Sequence, residues 1–186
     1  MTSEKPQADR ALNMASEKPQ ADRALNSAED KLAIIELLYR YAELIDAGDF
    51  DGVGALLSRA TFGGTGPQGV SGAENIAKLF ARTTRRYPEH ANTPRTRHLV
   101  LNPIIEISPQ RTATARSTFC VVQNTETVPL QPIVVGRYFD AFGCDPDARV
   151  GWYFTERKVE VQMIGDVSAH LMVDPRGFDA QAQGRP

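Results

Sequence analysis

Histidine and cysteine, the residues that most often build metal sites and disulfides, are scarce in this sequence. Its three histidines, His90, His98 and His170, lie far apart and show no ligand-pair spacing, so we expect no metal. The two cysteines, Cys120 and Cys144, are too few for a disulfide framework, and we expect both to be reduced thiols.

Long apolar runs and an excess of one charge are also missing. No apolar stretch approaches the roughly 20 residues that a membrane-spanning helix needs. The first residues, MTSEKPQADRALN, lack the apolar region of a signal peptide. The formal net charge of -2 and the pI of about 5.9 argue against general nucleic-acid binding. We therefore expect a cytoplasmic protein with neither a membrane nor a nucleic acid as partner.

The composition that remains fits one globular domain. The 186 residues are 41% hydrophobic and 24% charged, which is usual for such a domain. SEKPQADRALN occurs twice, so we interpret residues 1–26 as a duplicated leader, flexible or helical. The domain is predicted over residues 27–165. The polar residues 166–186 are predicted to form a C-terminal tail.

Helical patterns come first in the chain. Ser27-Ala-Glu-Asp has the form of an N-cap with first-turn acids, and an apolar stripe follows to about residue 46. A short helix is predicted over about 50–57. The capping-box pattern Ser71-Gly-Ala-Glu predicts a third helix, which ends before Pro88.

Strand patterns follow the helices. Residues 98–107, 111–123, 132–142 and 151–163 are rich in apolar or alternating residues and are separated by short turns. Consecutive strands with short connections predict an antiparallel sheet. Helices first and the sheet last indicate the α+β class.

Two charged residues break these patterns. Asp46 lies on the same helical face as Leu38 and Ala42, where a carboxylate is costly unless it is paired. Strand alternation places Arg157 with Tyr153 and Val159, so its guanidinium is predicted to point inward. Such an arginine is often a structural ion pair. His98 could be oriented by Asp46 and act as a base, although a lone histidine is more often structural.

The stretch Gly64-Thr-Gly-Pro-Gln-Gly69 matches the pattern GxGxxG of nucleotide-binding loops. No βαβ pattern surrounds it, and Pro67 removes a backbone amide, so we interpret it as a loop at a pocket rim. We therefore expect no cofactor.

Six short segments follow one another along the chain: YAELIDAGDFDGVGALL, SGAENI, TRHLVLNPIIEI, TATARSTFCVV, GRYFDAF and GWYFTERKV. In this order they resemble the SnoaL-like branch of the nuclear-transport-factor-2-like (NTF2-like) superfamily. The resemblance covers about residues 28–163. It implies a cone-shaped, strongly curved antiparallel sheet wrapped on about three N-terminal helices, with a pocket between them. It also implies a homodimer, which we expect to form through the outer sheet face with Trp152 and Val134.

Two enzyme types of this superfamily, scytalone dehydratase and hexachlorocyclohexane dehydrochlorinase, carry an aspartate–histidine dyad at positions that match Asp46 and His98. The dehydrochlorinase also has a pocket arginine that Arg157 matches. Ser117 stands where the dehydratase has a second histidine, and Tyr41 stands where the dehydrochlorinase has a lysine. We therefore do not assign the substrate of either enzyme to this chain. The catalytic aspartate of the steroid isomerases has no counterpart in this sequence.

The resemblance thus implies a lyase that removes water or another group from a small hydrophobic or cyclic substrate. His98 would be the base, Asp46 would orient it, and Arg157 would stabilise the leaving group or an oxyanion. The pocket would be lined by Tyr41, Ser117, Phe119, Tyr138 and Tyr153. Two alternatives stay open: a non-catalytic binding or assembly subunit, like the small subunits of ring-hydroxylating dioxygenases, and a cyclase or isomerase that transfers protons.

Overall fold

The structure is a computed structural model that describes residues 20–64, 69–145, 147 and 151–173. Most of the duplicated leader, the centre of the GxGxxG stretch and the chain beyond residue 173 lie outside these residues. The side chains of residues 20–27 are likewise not described.

The described residues form three α-helices and one short 3₁₀ helix: α1 (Gln20–Ala47), α2 (Phe50–Leu56), α3 (Ala73–Thr83) and the 3₁₀ turn Pro88–His90. Two predicted helix starts are wrong. Ser27 lies inside α1 and is no N-cap. Ser71 ends a strand, where its hydroxyl is 3.0 Å from the Thr61 hydroxyl, and Gly72 precedes α3 instead.

In the part of the chain that the structure describes, six strands form one curved, unclosed sheet: β1 (Thr61–Gly64), β2 (Gly69–Ser71), β3 (Thr96–Ile107), β4 (Thr112–Gln123), β5 (Gln131–Cys144) and β6 (Trp152–Ile164). Their spatial order is β2-β1-β6-β5-β4-β3. The predicted α+β class and the four long strands are confirmed. The sheet is mixed rather than purely antiparallel, because β1 pairs with β6 in parallel while all other pairs are antiparallel.

The core lies between the helices and the inner face of the sheet. The apolar stripe of α1 supplies Ile34, Leu38 and Ile45, which the helical period brings to one side. α3 adds Ile76 and Phe80. Alternate residues of the strands complete the core, including Ala113, Ala115, Phe119, Ile133, Phe142 and Phe154. This packing fixes the end of α1 against the beginning of β3, where Asp46 and His98 lie.

An irregularity in β6 changes which of its residues point inward. Ala141 pairs with Glu156 but Phe142 pairs with Phe154, so Thr155 is an extra residue. Trp152 and Phe154 are therefore buried on the same face as Arg157. The indole of Trp152 donates to Asp30 of α1 at 2.8 Å, so its predicted place in an outer dimer face is wrong.

The chain after β6 folds back onto the domain. Val167, Ala169 and His170 are buried, and the carbonyl of Ala169 accepts hydrogen bonds from Tyr87 and Gln123. The packed domain therefore extends beyond residue 165, the boundary expected from the sequence. Among the described helices, none has the length and apolar character needed to cross a membrane.

Candidate functional site

The end of α1 presents Asp46 to the first residues of β3. Ala47 is the last residue of the helix, and Gly48, with φ +73°, follows it. The buried carboxylate accepts three hydrogen bonds: from the Thr96 hydroxyl at 2.7 Å, from the backbone amide of His98 at 2.8 Å, and from His98 Nδ1 at 2.6 Å. Asp46 and His98 are thus in direct contact, as a dyad requires.

These contacts set the charge of Asp46 and the tautomer of His98. Burial opposes ionisation of Asp46, but the hydrogen bonds from His98 and Thr96 and the charge of His98 outweigh it and lower the Asp46 pKa. An ionised carboxylate can only accept, so the Nδ1 atom of His98 must be the donor. In a neutral imidazole this leaves the lone pair on Nε2.

A cleft of about 740 Å³ opens beside the dyad, between α1 and the ends of β3 and β4. Its lining includes Glu43, Asp46, Thr96, Arg97, His98 and Leu130. Arg157 and the predicted pocket residues Tyr41, Ser117, Phe119, Tyr138 and Tyr153 are not among the residues that line it. The cleft therefore gives access to the dyad from the flank of α1 rather than through the centre of the cone.

Arg157 points inward, as alternation predicted, and is fully buried. Its guanidinium carbon lies 4.0 Å from the ring centre of Tyr41 and 3.8 Å from that of Tyr138. Its Nη1 atom is 3.6 Å from Oδ1 of Asp140. Cation–π contacts on two sides and one carboxylate thus compensate the buried charge.

Asp140 is a site residue that sequence reasoning missed. It faces Arg157 directly across β5 and β6. Burial raises the pKa of Asp140 to about 6, and the positive charge of Arg157 offsets only part of this effect. A signal was present in the sequence: Asp140 is two residues from Tyr138 on the same strand, so both share the inner face.

Tyr41 stands between the dyad and Arg157. Its ring centre is 6.5 Å from that of His98, nearly perpendicular to it, and 6.0 Å from that of Tyr138. Burial raises the pKa of the Tyr41 phenol, and raises that of Tyr138 to about 12. Both phenols are therefore neutral near pH 7 and can donate hydrogen bonds.

The other predicted lining residues divide into two groups. Phe119 and Tyr138 stack at 4.4 Å on the inner sheet face, and Ser117 is buried opposite Tyr138 on the neighbouring strand. Tyr153 instead lies under the guanidinium of Arg59, 4.1 Å from its ring centre. The extra residue Thr155 puts Tyr153 on the other face from Arg157, so its predicted place in the pocket wall is wrong.

His170 is a buried histidine near the dyad, and sequence reasoning gave it no role. Burial lowers the pKa of His170 to about 4, and the nearby His98 adds to this effect. His170 is therefore neutral near pH 7. The described residues contain no group of three or more His, Cys, Asp or Glu side chains that could hold a metal ion.

The sequence profile of the SnoaL-like domain family matches residues 26–158. The chain belongs to this family. The predicted resemblance to the SnoaL-like branch is thereby confirmed, and NTF2-like structures share the fold. No curated protein matches the sequence of this SnoaL-like chain.

Several solved structures share this fold. An NTF2-like protein with a cystatin-like fold from Novosphingobium aromaticivorans is 23% identical, with 84% of this chain and 96% of that chain covered and a TM-score of 0.63. A protein of the same organism, provisionally named a scytalone dehydratase, is 19% identical, with 77% and 91% covered and a TM-score of 0.60. Another, provisionally named an aromatic ring hydroxylase, is 22% identical, with 76% and 96% covered and a TM-score of 0.58. At these identities the likeness shows the fold alone.

Proposed function

We propose that this SnoaL-like protein is a small-molecule lyase in which His98 and Asp46 act as a dyad. The observation that carries the proposal is the 2.6 Å contact between His98 Nδ1 and a buried, ionised carboxylate. It leaves Nε2 as the ring nitrogen that can take a proton. The carboxylate also stabilises the imidazolium that forms.

The reaction that fits this base is an elimination. Nε2 of His98 removes a proton from a carbon of the substrate, the electrons of the C–H bond form a C=C bond, and the neighbouring C–O or C–halogen bond breaks. The departing group takes that bonding pair; a departing hydroxide takes the proton from the His98 imidazolium and leaves as water, whereas a halide leaves as the ion. We assign Tyr41, a neutral phenol beside the His98 ring, as the hydrogen-bond donor to the departing group.

Arg157 is proposed to stabilise negative charge that develops on the substrate. Tyr41 lies between His98 and Arg157 and does not line the cleft, so a substrate that reaches both residues must displace the Tyr41 ring. The stacked rings of Phe119 and Tyr138 beyond Tyr41 would then favour a cyclic, largely hydrophobic substrate. We propose no cofactor for this reaction.

The test is a panel of hydroxylated and halogenated cyclic compounds, incubated with the full chain and followed for loss of water or halide. We expect at least one compound to turn over, and His98→Ala to reduce the rate on the order of a hundredfold or more. Turnover that is unchanged in His98→Ala would exclude His98 as the base.

A non-catalytic binding or assembly subunit is the second candidate. The three hydrogen bonds to Asp46 join α1 to β3, and a purely structural aspartate would make the same contacts. In that case no compound of the panel turns over, and His98→Ala lowers only the stability or the partner affinity.

A further inference from the structure

Two arginines line the cleft beside the dyad without an acidic partner. They are Arg95 and Arg97, which flank Thr96 at the beginning of β3. In the described part of the chain, the side chain of Arg95 donates hydrogen bonds to Asn124 and that of Arg97 donates to the carbonyl of Thr96. All of these acceptors are neutral oxygens, and neither guanidinium forms an ion pair with a described carboxylate. The cleft therefore contains two positive charges that an anion from outside the chain can neutralise.

The guanidinium of Arg95 is held in a fixed orientation. Its Nε atom donates to the carbonyl oxygen of Asn124 at 3.0 Å, and its Nη2 atom donates to Oδ1 of the same residue at 3.0 Å. A guanidinium has five N–H donors in one plane, so two bonds along one edge leave three donors, on Nη1 and Nη2. A carboxylate can bind two such parallel donors at once. Arg95 thus presents a preoriented edge of the kind that binds carboxylates.

The backbone at Arg95 adopts an unfavourable conformation. Its φ of +61° lies in the left-handed region, as do those of Ala91 (+55°) and Asn92 (+58°) in the same loop. Residues with a Cβ atom are uncommon in this region, although asparagine and aspartate tolerate it better than most. The backbone geometry therefore does not explain an arginine at this position. A site for an anion beside the dyad does explain it.

The rest of the cleft suits an apolar group. Leu130, which is 73% exposed, and Tyr39, which is 48% exposed, both line it together with Val122. The volume of about 740 Å³ is in the range of small-molecule sites. Of the acids in the lining, Asp46 already accepts hydrogen bonds on both oxygens, and Glu43 is exposed to solvent. The cleft thus combines an apolar wall with an oriented positive charge.

We propose that the cleft binds a small carboxylic acid with an apolar body. Arg95 binds the carboxylate through its free edge, Arg97 adds positive charge, and the apolar body lies against Tyr39 and Leu130. That this acid is also the substrate of the lyase rests on the function proposed above. The observation that links the two is that His98 lines the same cleft.

The test compares benzoate with benzamide, in which an amide group replaces the carboxylate. Their dissociation constants are measured on the full chain by NMR titration at pH 7. We expect benzoate to bind about tenfold more tightly, because charge-assisted bidentate hydrogen bonds are about twice as strong as neutral ones. Salt at 1 M should reduce this preference, since the Debye length falls to about 3 Å. Equal binding of the two compounds, or binding of neither, would overturn the proposal.

Substitutions of Arg95 test whether it is the anchor. Arg95→Met should remove the preference for benzoate, and Arg95→Lys should keep only a small part of it, because an ammonium group lacks the planar edge. Arg137→Met is the matched control: it removes the same charge from an exposed position on β5 outside the cleft lining, and the preference should remain. A preference that survives in Arg95→Met would overturn the assignment. If this variant does not fold, Arg95→Lys and the wild-type comparison decide.

The same titration on His98→Ala separates this inference from the lyase proposal. The preference for benzoate should persist in this variant, because Arg95 supplies the charge that binds the carboxylate. A preference for benzoate without turnover of any compound would reject the lyase and retain the carboxylate site. Turnover that depends on His98, without a preference for benzoate, would do the reverse.

Discussion

His170 carries the clearest pH effect at the scale of single residues. The pKa of His170 is about 4 in the folded chain, below the ordinary value of 6.5, because the imidazole is buried close to His98. Between these pH values the unfolded chain binds a proton at this position and the folded chain does not. The free energy of unfolding should therefore fall as the pH drops from about 6.5 to about 4, by roughly 3 kcal/mol from this group.

Urea unfolding of wild type and His170→Phe at pH 7 and pH 4.5 checks this effect. The variant should lose much of the acid-induced decrease in stability. His90→Asn, at the partly exposed histidine of the 3₁₀ turn, is the matched control and should keep it. An equal loss of stability in wild type and His170→Phe would show that His170 is not the group responsible.

The charged residues that violate the local pattern were the predictable ones. Asp46 interrupts an apolar helical stripe and Arg157 an apolar strand face, so each had to be paired or functional. Asp140 shares the inner face with Tyr138, but the sequence analysis uses it only as part of the segment GRYFDAF and predicts no role for it. The position of Tyr153 could not be predicted, because a single extra residue at Thr155 reverses the alternation and sequence does not show it.

At the scale of elements, Gly136 sets how closely β5, β6 and β4 approach. A Cβ atom at this position would lie 2.1 Å from the carbonyl oxygen of Glu160 and 2.9 Å from the Phe119 ring. Gly136→Ala should therefore push the strands apart and lower the free energy of unfolding by about 1–3 kcal/mol or more.

Gly64→Ala is the control for this substitution. Its added Cβ would have only the carbonyl oxygen of Val159 nearby, at 3.7 Å, so the stability should change little. Urea unfolding of the two variants gives the comparison. Equal stabilities would show that the strands adjust to a side chain at residue 136 without cost.

The long strands and α2 were predictable because their patterns are local. The pairing of β1 with β6 could not be predicted from the sequence, because it joins residues 61–64 to residues 156–159 and depends on the curvature of the whole sheet. The start of α1 was also mispredicted: Ser27 has the chemistry of a cap, but the helix continues through it from Gln20. Local capping signals are weak when a longer helix is available.

At the scale of the whole molecule, the outer sheet face carries an apolar row. The strand registers place Leu99, Cys120, Val135 and Met163 side by side across β3, β4, β5 and β6. Leu99 is 43% and Met163 59% exposed. We propose that this row forms the centre of a homodimer interface, in place of the buried Trp152.

Sedimentation at micromolar concentration checks the dimer. The wild type should be dimeric, and Met163→Glu should shift it to monomer because each protomer would bury a carboxylate in an apolar interface. Leu32→Glu, at a residue of α1 that is 64% exposed, should stay dimeric. A monomeric wild type would reject the dimer, and a dimeric Met163→Glu would reject this interface.

We propose above that Asp46 orients His98 as the base of an elimination. The most direct test is the steady-state kinetics of Asp46→Asn on a compound that the wild type converts. Asparagine keeps the shape of Asp46 but removes its charge, so the imidazolium loses its stabilising partner. The control is Thr96→Val, which removes one hydrogen bond to Asp46 and leaves its contact with His98 intact. We expect Asp46→Asn to lower kcat on the order of a hundredfold or more with little change in KM, and Thr96→Val to keep most of the activity. An unchanged kcat in Asp46→Asn would contradict the proposal.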